Sequence, residues 1–332
     1  MSKVLRIGTR DSQLAVWQAT LVQDLLKQAG HASELVYMKS EGDVDTITPL
    51  YALGVTGVFT KTLDAALLNN RIDIAVHSMK DVPTQMAQGI REAAVLKRAS
   101  AKDILVYKDD AFPERLGYTG KGWTDLSSVG SHTHHLTTSH TIATGSIRRI
   151  AQWRHRYPGD RTENLRGNVN TRLRKLQEHE WDGAIFAAAG LERIHLRPER
   201  SIDLDWMLPA PAQGAILIVC REEDDQAFTS CQHFHDRETA LCTHIERSFL
   251  SALMGGCSTP ISALAMVKES QVFFEGNIVA PDGSTKASVE KTIPVTEAGD
   301  LGIRAAREIL LNGGQELVDQ IRKTGLAADG QG

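Results

Sequence analysis

The feature that most constrains the fold is an alternation of strand-like and helix-like segments that runs twice along the chain. "VLRIGT" reads as a strand, and "DSQLAVWQATLVQDLLKQAG" as an amphipathic helix with Leu14, Trp17, Leu21 and Leu25 on one face. Asp11 or Ser12 is placed to cap its start and Gly30 to end it. "SELVYMKS" follows as a strand, "TKTLDAALLNN" as a helix and "IDIAVHSM" as a strand. Such alternation predicts a parallel sheet covered on both faces. The pattern then echoes itself. "RIGTRDSQLAVWQ" (6–18) matches "TIATGSIRRIAQW" (141–153), and "NNRIDIAVHSMKD" (69–81) matches "EHEWDGAIFAAAGLER" (178–193). Two similar α/β domains facing each other would leave a ligand cleft between their strand ends.

From about residue 236 the pattern changes to a helix, a glycine-rich turn and "QVFFEGNIVAPDGSTKASVEKTI", whose "PDGS" turn predicts antiparallel strands. "DLGIRAAREILLNGG" closes as a helix, giving a third, smaller α+β domain. A chain of 332 residues has the length for two or three such domains. Its formal net charge of -4 argues against a general nucleic-acid binder. No apolar run is long enough for a membrane span. "MSKVLRIGTRDS" enters a strand with no signal-peptide core, which implies the cytoplasm.

Four cysteines show no CxxC pairing. Cys220 ends an apolar run and Cys242 lies in a helix-like stretch, so both read as inert packing; Cys231 carries no signal. Cys257, in "MGGCSTPIS", differs. Gly255 and Gly256 remove neighbouring side chains and Pro260 discourages a continuous helix, so the pattern displays a single thiol on a turn.

Residues 148–200 hold eleven arginines and one lysine against seven acids, a local excess of five in an acidic protein. Arg148 and Arg149 follow the small-residue turn "TGS", and Arg166 and Arg172 flank "GNVN". Any one of these arginines alone fits a solvated face. Their clustering at helix starts instead suits a polyanion, bound by guanidinium groups and by free N–H groups at positive helix ends. "HSMKDVP" leaves a strand with Lys80 and Asp81 adjacent and Pro83 forcing a loop. Asp81 is placed either as an acid, base or cation stabiliser at the cleft, or as half of a solvated turn pair. "GVTGVFTK" lacks P-loop spacing. The histidines of "SHTHHLTTSH" have no cysteine or acidic co-ligands, so they read as an exposed insertion and no metal is expected.

Taken together, "GTRDS", "DIAVHSMKDVP", "SIRR", "LRGNVNTR", "AAAGLER", "PAPAQGA" and "GGCSTP" resemble, in order, the porphobilinogen deaminase family. The resemblance runs through most of the chain. It implies two α/β domains like those of periplasmic binding proteins, facing a cleft, plus the smaller α+β domain. Domain 1 is then 1–97 and 213–232, domain 2 is 102–207 and domain 3 is 236–325. It implies a dipyrromethane cofactor attached through a thioether to Cys257, on which porphobilinogen units are joined, with loss of ammonia, into a linear tetrapyrrole for heme biosynthesis. Asp81 matches the family's catalytic carboxylate. Arg10, Ser12, Lys80, Thr144, Ser146, Arg148, Arg149, Arg166, Arg172 and Arg193 match its cofactor- and substrate-binding positions, as does Asp43 in a loop near the site. The resemblance further implies a monomer that hands its product to uroporphyrinogen-III synthase. The chain departs from the family at Ala52 and Thr56, where many members carry lysines, at Gly145 and Met254, and through 127–140.

Two other classes fit parts of this pattern. A binding module for a small anion explains the arginines but leaves Cys257 without purpose. A cysteine-nucleophile acyltransferase needs a base near Cys257, and His233, His235 and His244 form no recognisable arrangement with it.

Overall fold

The computed structural model describes residues 3–39, 60–124, 139–253 and 259–323. The first sheet holds β1 (Leu5–Arg10), β2 (Ser33–Met38), β3 (Ile74–Ser78) and β4 (Ile90–Val95). The second holds β5 (Asp103–Tyr107), β6 (Thr141–Ala143), β7 (Arg161–Glu163), β8 (Gly183–Ala187) and β9 (Ser201–Asp203). The chain then returns to the first sheet with β10 (Ile216–Arg221). Strand orders are β2-β1-β3-β10-β4 and β7-β6-β8-β5-β9.

These two orders are one topology. In each sheet three strands run parallel, and the fourth in line is antiparallel to both neighbours. That antiparallel strand, β10 or β5, is the one delivered by the chain as it crosses from the other sheet. A matching contact sits beneath both. Asp73 accepts from the N–H of Arg6 (2.9 Å) and donates its own N–H back to Arg6 O (2.9 Å); Asp182 and Thr141 make the same pair at 2.8 and 3.0 Å. The aspartate in each half of the sequence echo therefore pins two parallel strands together. Asp73 also receives Lys3 and Arg221. Although burial opposes its charge, the hydrogen bonds from Arg6 and Lys3 hold this carboxyl well below the usual range.

The first helix, Gln13–Gln28, begins at Ser12, whose side chain accepts from Ala15 N–H, and ends as Gly30 turns to φ 84°. Its buried stripe is Gln18, Ala19, Val22 and Leu26. Trp17, Leu21 and Leu25 only flank it, so the buried face lies one residue beyond the apolar positions of the sequence. The reason is that Gln18 is satisfied by Ser78 Oγ (2.9 Å), which lets a polar residue occupy the centre of the packing.

The third sheet is an antiparallel meander of β11 (Ile261–Lys268), β12 (Gln271–Val279) and β13 (Lys286–Pro294), packed against helices Arg237–Leu253, Leu301–Ile309 and Gln315–Lys323. The expected turn between β12 and β13 docks on the second domain's helix Ile147–Arg156: Gly283 O accepts from His155 Nδ1 at 2.8 Å. Gly283 has φ 81°, and a Cβ there would lie 2.5 Å from His155 N, so only glycine fits. Cys220, Cys231 and Cys242 are buried, and burial pushes the Cys231 and Cys242 thiols up to about 12 and about 11. Cys220 and Cys242 are packing residues, as expected, and Cys231, on which the sequence carried no signal, is one too. Among the described residues no helix is long and apolar enough to cross a membrane, and no group of three or more metal-ligating side chains occurs.

Candidate active site

A cleft of about 780 Å³ separates the two five-stranded sheets. Three helix starts open onto it: Ser12, Ser146, and Asn168, whose side chain accepts from Thr171 N–H (2.9 Å). Each contributes free N–H groups and a positive dipole end. Among the described residues the lining contains eight lysines and arginines and two acids, a local excess of positive charge in a chain of net charge -4. Arg10, Ser12, Lys80, Asp81, Ser146, Arg148, Arg149, Arg166, Arg172 and Arg193 all line it. Thr144 does not. It is buried beneath the turn, where its Oγ1 accepts from Ser146 N–H at 3.3 Å. Asp43 and Cys257 lie outside the described residues, as do Ala52, Thr56 and Met254. Thr259 and Ile261, just beyond Cys257 in sequence, are part of the cleft wall.

The arginines differ in how they are held. Arg148 and Arg149 are both 4% exposed, and both clasp the fully buried Asp103. Arg148 Nη2 donates to Oδ2 at 2.7 Å, while Arg149 Nε and Nη2 donate to Oδ1 at 3.1 and 2.7 Å. Among the described residues, Arg148 Nη1 also donates to Leu208 O and Arg149 Nη1 to Ile185 O. Burial opposes the Asp103 charge, but Arg148 and Arg149 overcome it and hold the carboxyl at about 2. Gln213 extends the network, donating from Nε2 to Asp103 (2.9 Å) and accepting from Lys80 Nζ (3.2 Å). Neither Asp103 nor Gln213 was picked out from sequence. The available signals were a charged residue heading the apolar run "DILVY" and a glutamine within the "PAPAQGA" motif.

Arg172 and Arg193 are less compensated. Burial, aided for Arg172 by Arg149 and Arg166, depresses both guanidinium groups to about 10. Among the described residues the Arg172 guanidinium donates only from Nε, to Gly167 O at 2.7 Å. Arg193 donates to Gly214 O at 2.6 Å and lies over the Trp17 ring, joining the second domain to the first. Gly214 (φ 87°) marks where the two crossover segments touch; a Cβ there would meet Ser100 O at 2.6 Å. Enclosure by the cleft walls depresses Lys80 to about 8, with Asp81 opposing the shift. Asp81 itself is exposed to the cleft, on the single 3-10 turn Met79–Asp81 that follows β3. The site thus sets a surplus of enclosed cations around the accessible Asp81, with the exposed Asp11 as the second acid of the lining, and suits a multiply anionic ligand that develops positive charge during reaction.

Residues 5–229 match the family model described as "Porphobilinogen deaminase, dipyromethane cofactor binding domain", and residues 240–311 match "Porphobilinogen deaminase, C-terminal domain". The porphobilinogen deaminase of Syntrophotalea carbinolica is 36% identical over 321 residues, covering 96% of this chain and 96% of that one. That of Acidithiobacillus ferrooxidans is 38% identical over 329 residues, covering 97% of this chain and 99% of its own. Among solved structures, a methionine-bound nutrient binding protein from Burkholderia cenocepacia aligns at 14% identity and TM-score 0.41, over 71% of this chain and 93% of its own. At that score the likeness adds nothing to the strand order. With both family models matched in sequence order and relatives aligned over nearly their whole length, the chain belongs to the porphobilinogen deaminase family.

Proposed function

We propose that the chain joins porphobilinogen units, with loss of ammonia, into the linear tetrapyrrole hydroxymethylbilane, with Asp81 as the catalytic carboxylate and Cys257 as the attachment point of a dipyrromethane. Family membership makes it a transferase of tetrapyrrole and heme biosynthesis. The observation that carries the residue assignment is the cleft in which the accessible Asp81 shares the walls, among the described residues, with eight basic side chains.

A dipyrromethane bears four carboxylates, and the donor set fits it: the helix starts at Ser12, Ser146 and Asn168 and the under-compensated Arg172 offer N–H groups to anions. When bound, the group supplies an open pyrrole carbon as primer. Arg10, Arg166 and Arg172 bind acetate and propionate groups, and Lys80 adds an ammonium beside Asp81. Arg148 and Arg149, locked on Asp103, provide a fixed positive wall. Departure of ammonia from porphobilinogen leaves a cation delocalised over the pyrrole. Asp81 accepts from the pyrrole N–H and stabilises that charge, in a cleft whose groups are already oriented. Arg193 holds the cleft's two walls in register.

We assign the domain boundaries given by the sequence, 1–97 with 213–232, 102–207 and 236–325; the membership of β10 in the first sheet supports the return segment. A monomer in the cytoplasm, passing its unstable product to uroporphyrinogen-III synthase, completes the proposal. Intact mass of the denatured protein tests it. The wild type should exceed its sequence mass by one dipyrromethane, and Cys257→Ser should lack the increment. Equal added mass on both would overturn the assignment.

A further inference from the structure

The helix Arg237–Leu253 runs up to the segment that contains Cys257, and two adjacent residues in its middle grip different parts of the molecule. Glu246, fully buried, accepts from Arg98 through both oxygens (2.5 and 3.0 Å) and from the backbone N–H groups of Ala212 (2.6 Å) and Ala265 (2.8 Å). It fixes the helix to both crossover segments. Arg247 reaches into the first domain instead. Its Nη1 donates to Met79 O (3.3 Å) and Val82 O (2.9 Å), and its Nη2 to Pro83 O (2.5 Å). Those carbonyls bracket Lys80 and Asp81.

The segment so gripped is short. It is one 3-10 turn, closed by Val82 N–H to Met79 O (3.1 Å) and joined to the return strand by Met79 N–H to Ala215 O (3.0 Å). Hydrogen-bond geometry in such turns is poor. The buried side chains of Met79 and Val82 fix where the turn sits but not how its peptide planes tilt. A planar guanidinium on three carbonyls does fix that tilt. The tilt in turn sets the direction in which the exposed Asp81 carboxylate points.

We propose that Arg247 is a positioning residue for the reaction, orienting the Lys80–Asp81 turn and locking it to the helix that leads to Cys257. The proposal rests on Asp81 being the catalytic carboxylate. Arg247→Met should lower kcat by tenfold or more, on enzyme shown by mass to carry its cofactor, while KM for porphobilinogen stays within threefold. Arg247→Lys, which keeps the charge but not the planar fork, should recover at least threefold over Arg247→Met. In an Asp81→Asn background the further loss caused by Arg247→Met should shrink below threefold, because a misdirected amide costs little more than a well-directed one. Amide exchange at Val82 should quicken at least tenfold in Arg247→Met, and equally in a Cys257→Ser background that carries no cofactor. A kcat within threefold of wild type, unchanged exchange at Val82, or losses that multiply in the double variant would each overturn the proposal. If Arg247→Met accumulates poorly, Arg247→Lys carries the same cycle, with a smaller expected loss. Asp81→Asn alone separates the two ideas: near-wild-type turnover there removes the role of Asp81, whereas a severe loss there with a mild Arg247 effect removes only the positioning role.

Discussion

Replacing Asp103 with asparagine keeps the size of the side chain and removes the one negative charge that Arg148 and Arg149 share. Asp103 is fully buried, and its carboxyl is held at about 2 against an ordinary 3.8. A shift of nearly two units at ~1.4 kcal/mol each means the native state favours the ionised form by about 2–3 kcal/mol relative to the unfolded chain. Asparagine resembles the neutral acid, so that figure is a floor. Its amide N–H groups also face two guanidinium donors, and breaking a buried ion pair from one side costs about 3–5 kcal/mol. The expected loss of stability at pH 7 is therefore about 2 to 5 kcal/mol, read from urea midpoints at a common slope. The sign with pH follows from the depressed native value. The stabilisation is complete above the unfolded carboxyl's value near 4 and is lost as pH falls toward 2. Wild type and Asp103→Asn should therefore differ by the same amount at pH 7 and pH 5. A difference under about 1 kcal/mol at pH 7 would refute the reasoning, since a mean single substitution costs as much.

For Asp81, two unit charges ~4 Å apart interact by about 4 kcal/mol at an effective dielectric of ~20. If two-thirds of this is differential, loaded Asp81→Asn should turn over about a hundredfold more slowly at ~1.4 kcal/mol per decade, and Asp81→Glu should retain more activity; a loss under threefold would make Asp81 a turn residue. Because the Lys80 ammonium titrates at about 8, KM for porphobilinogen should rise as pH increases through that value, and Lys80→Arg should abolish the inflection. Arg172→Ala removes a charged donor worth about 1.5–3 kcal/mol, so KM should rise roughly ten- to hundredfold with little change in the urea midpoint. Gly283→Val should lower the thermal midpoint by forcing a Cβ into His155 N, and an unchanged midpoint would show that the hairpin does not need that contact.

Strand and helix identity was legible because it rests on local period and punctuation. β1, β3, β12 and β13 fall where alternation and apolar runs place them, and Gly30 ends the first helix as read. The repeat was legible too, since a duplicated topology leaves a duplicated order of small turns, aspartates and apolar strands. The polyanion reading followed from a local charge excess clustered after small-residue turns at helix starts, which needs no coordinates. Cys257 was singled out by its glycine turn, and the comparisons support the family to which its motif belongs.

What the tertiary structure decided is which charges face which. Asp103 lies 45 residues before Arg148 and meets it only because β5 crosses into the second sheet beside β8. That pairing buttresses two of the arginines expected to bind the ligand, whereas among the described residues the Arg172 guanidinium keeps donors to spare. Thr144 and Ser146 are near neighbours in sequence, yet the turn buries one and exposes the other. Arg247 reads as an ordinary helix cation until the third domain sets it against the carbonyls around Asp81. Local sequence fixes backbone dihedrals and faces, because those depend on neighbours a few residues away. The partner of a charge depends on chain crossings tens of residues long, and only the folded chain brings those partners within hydrogen-bond reach.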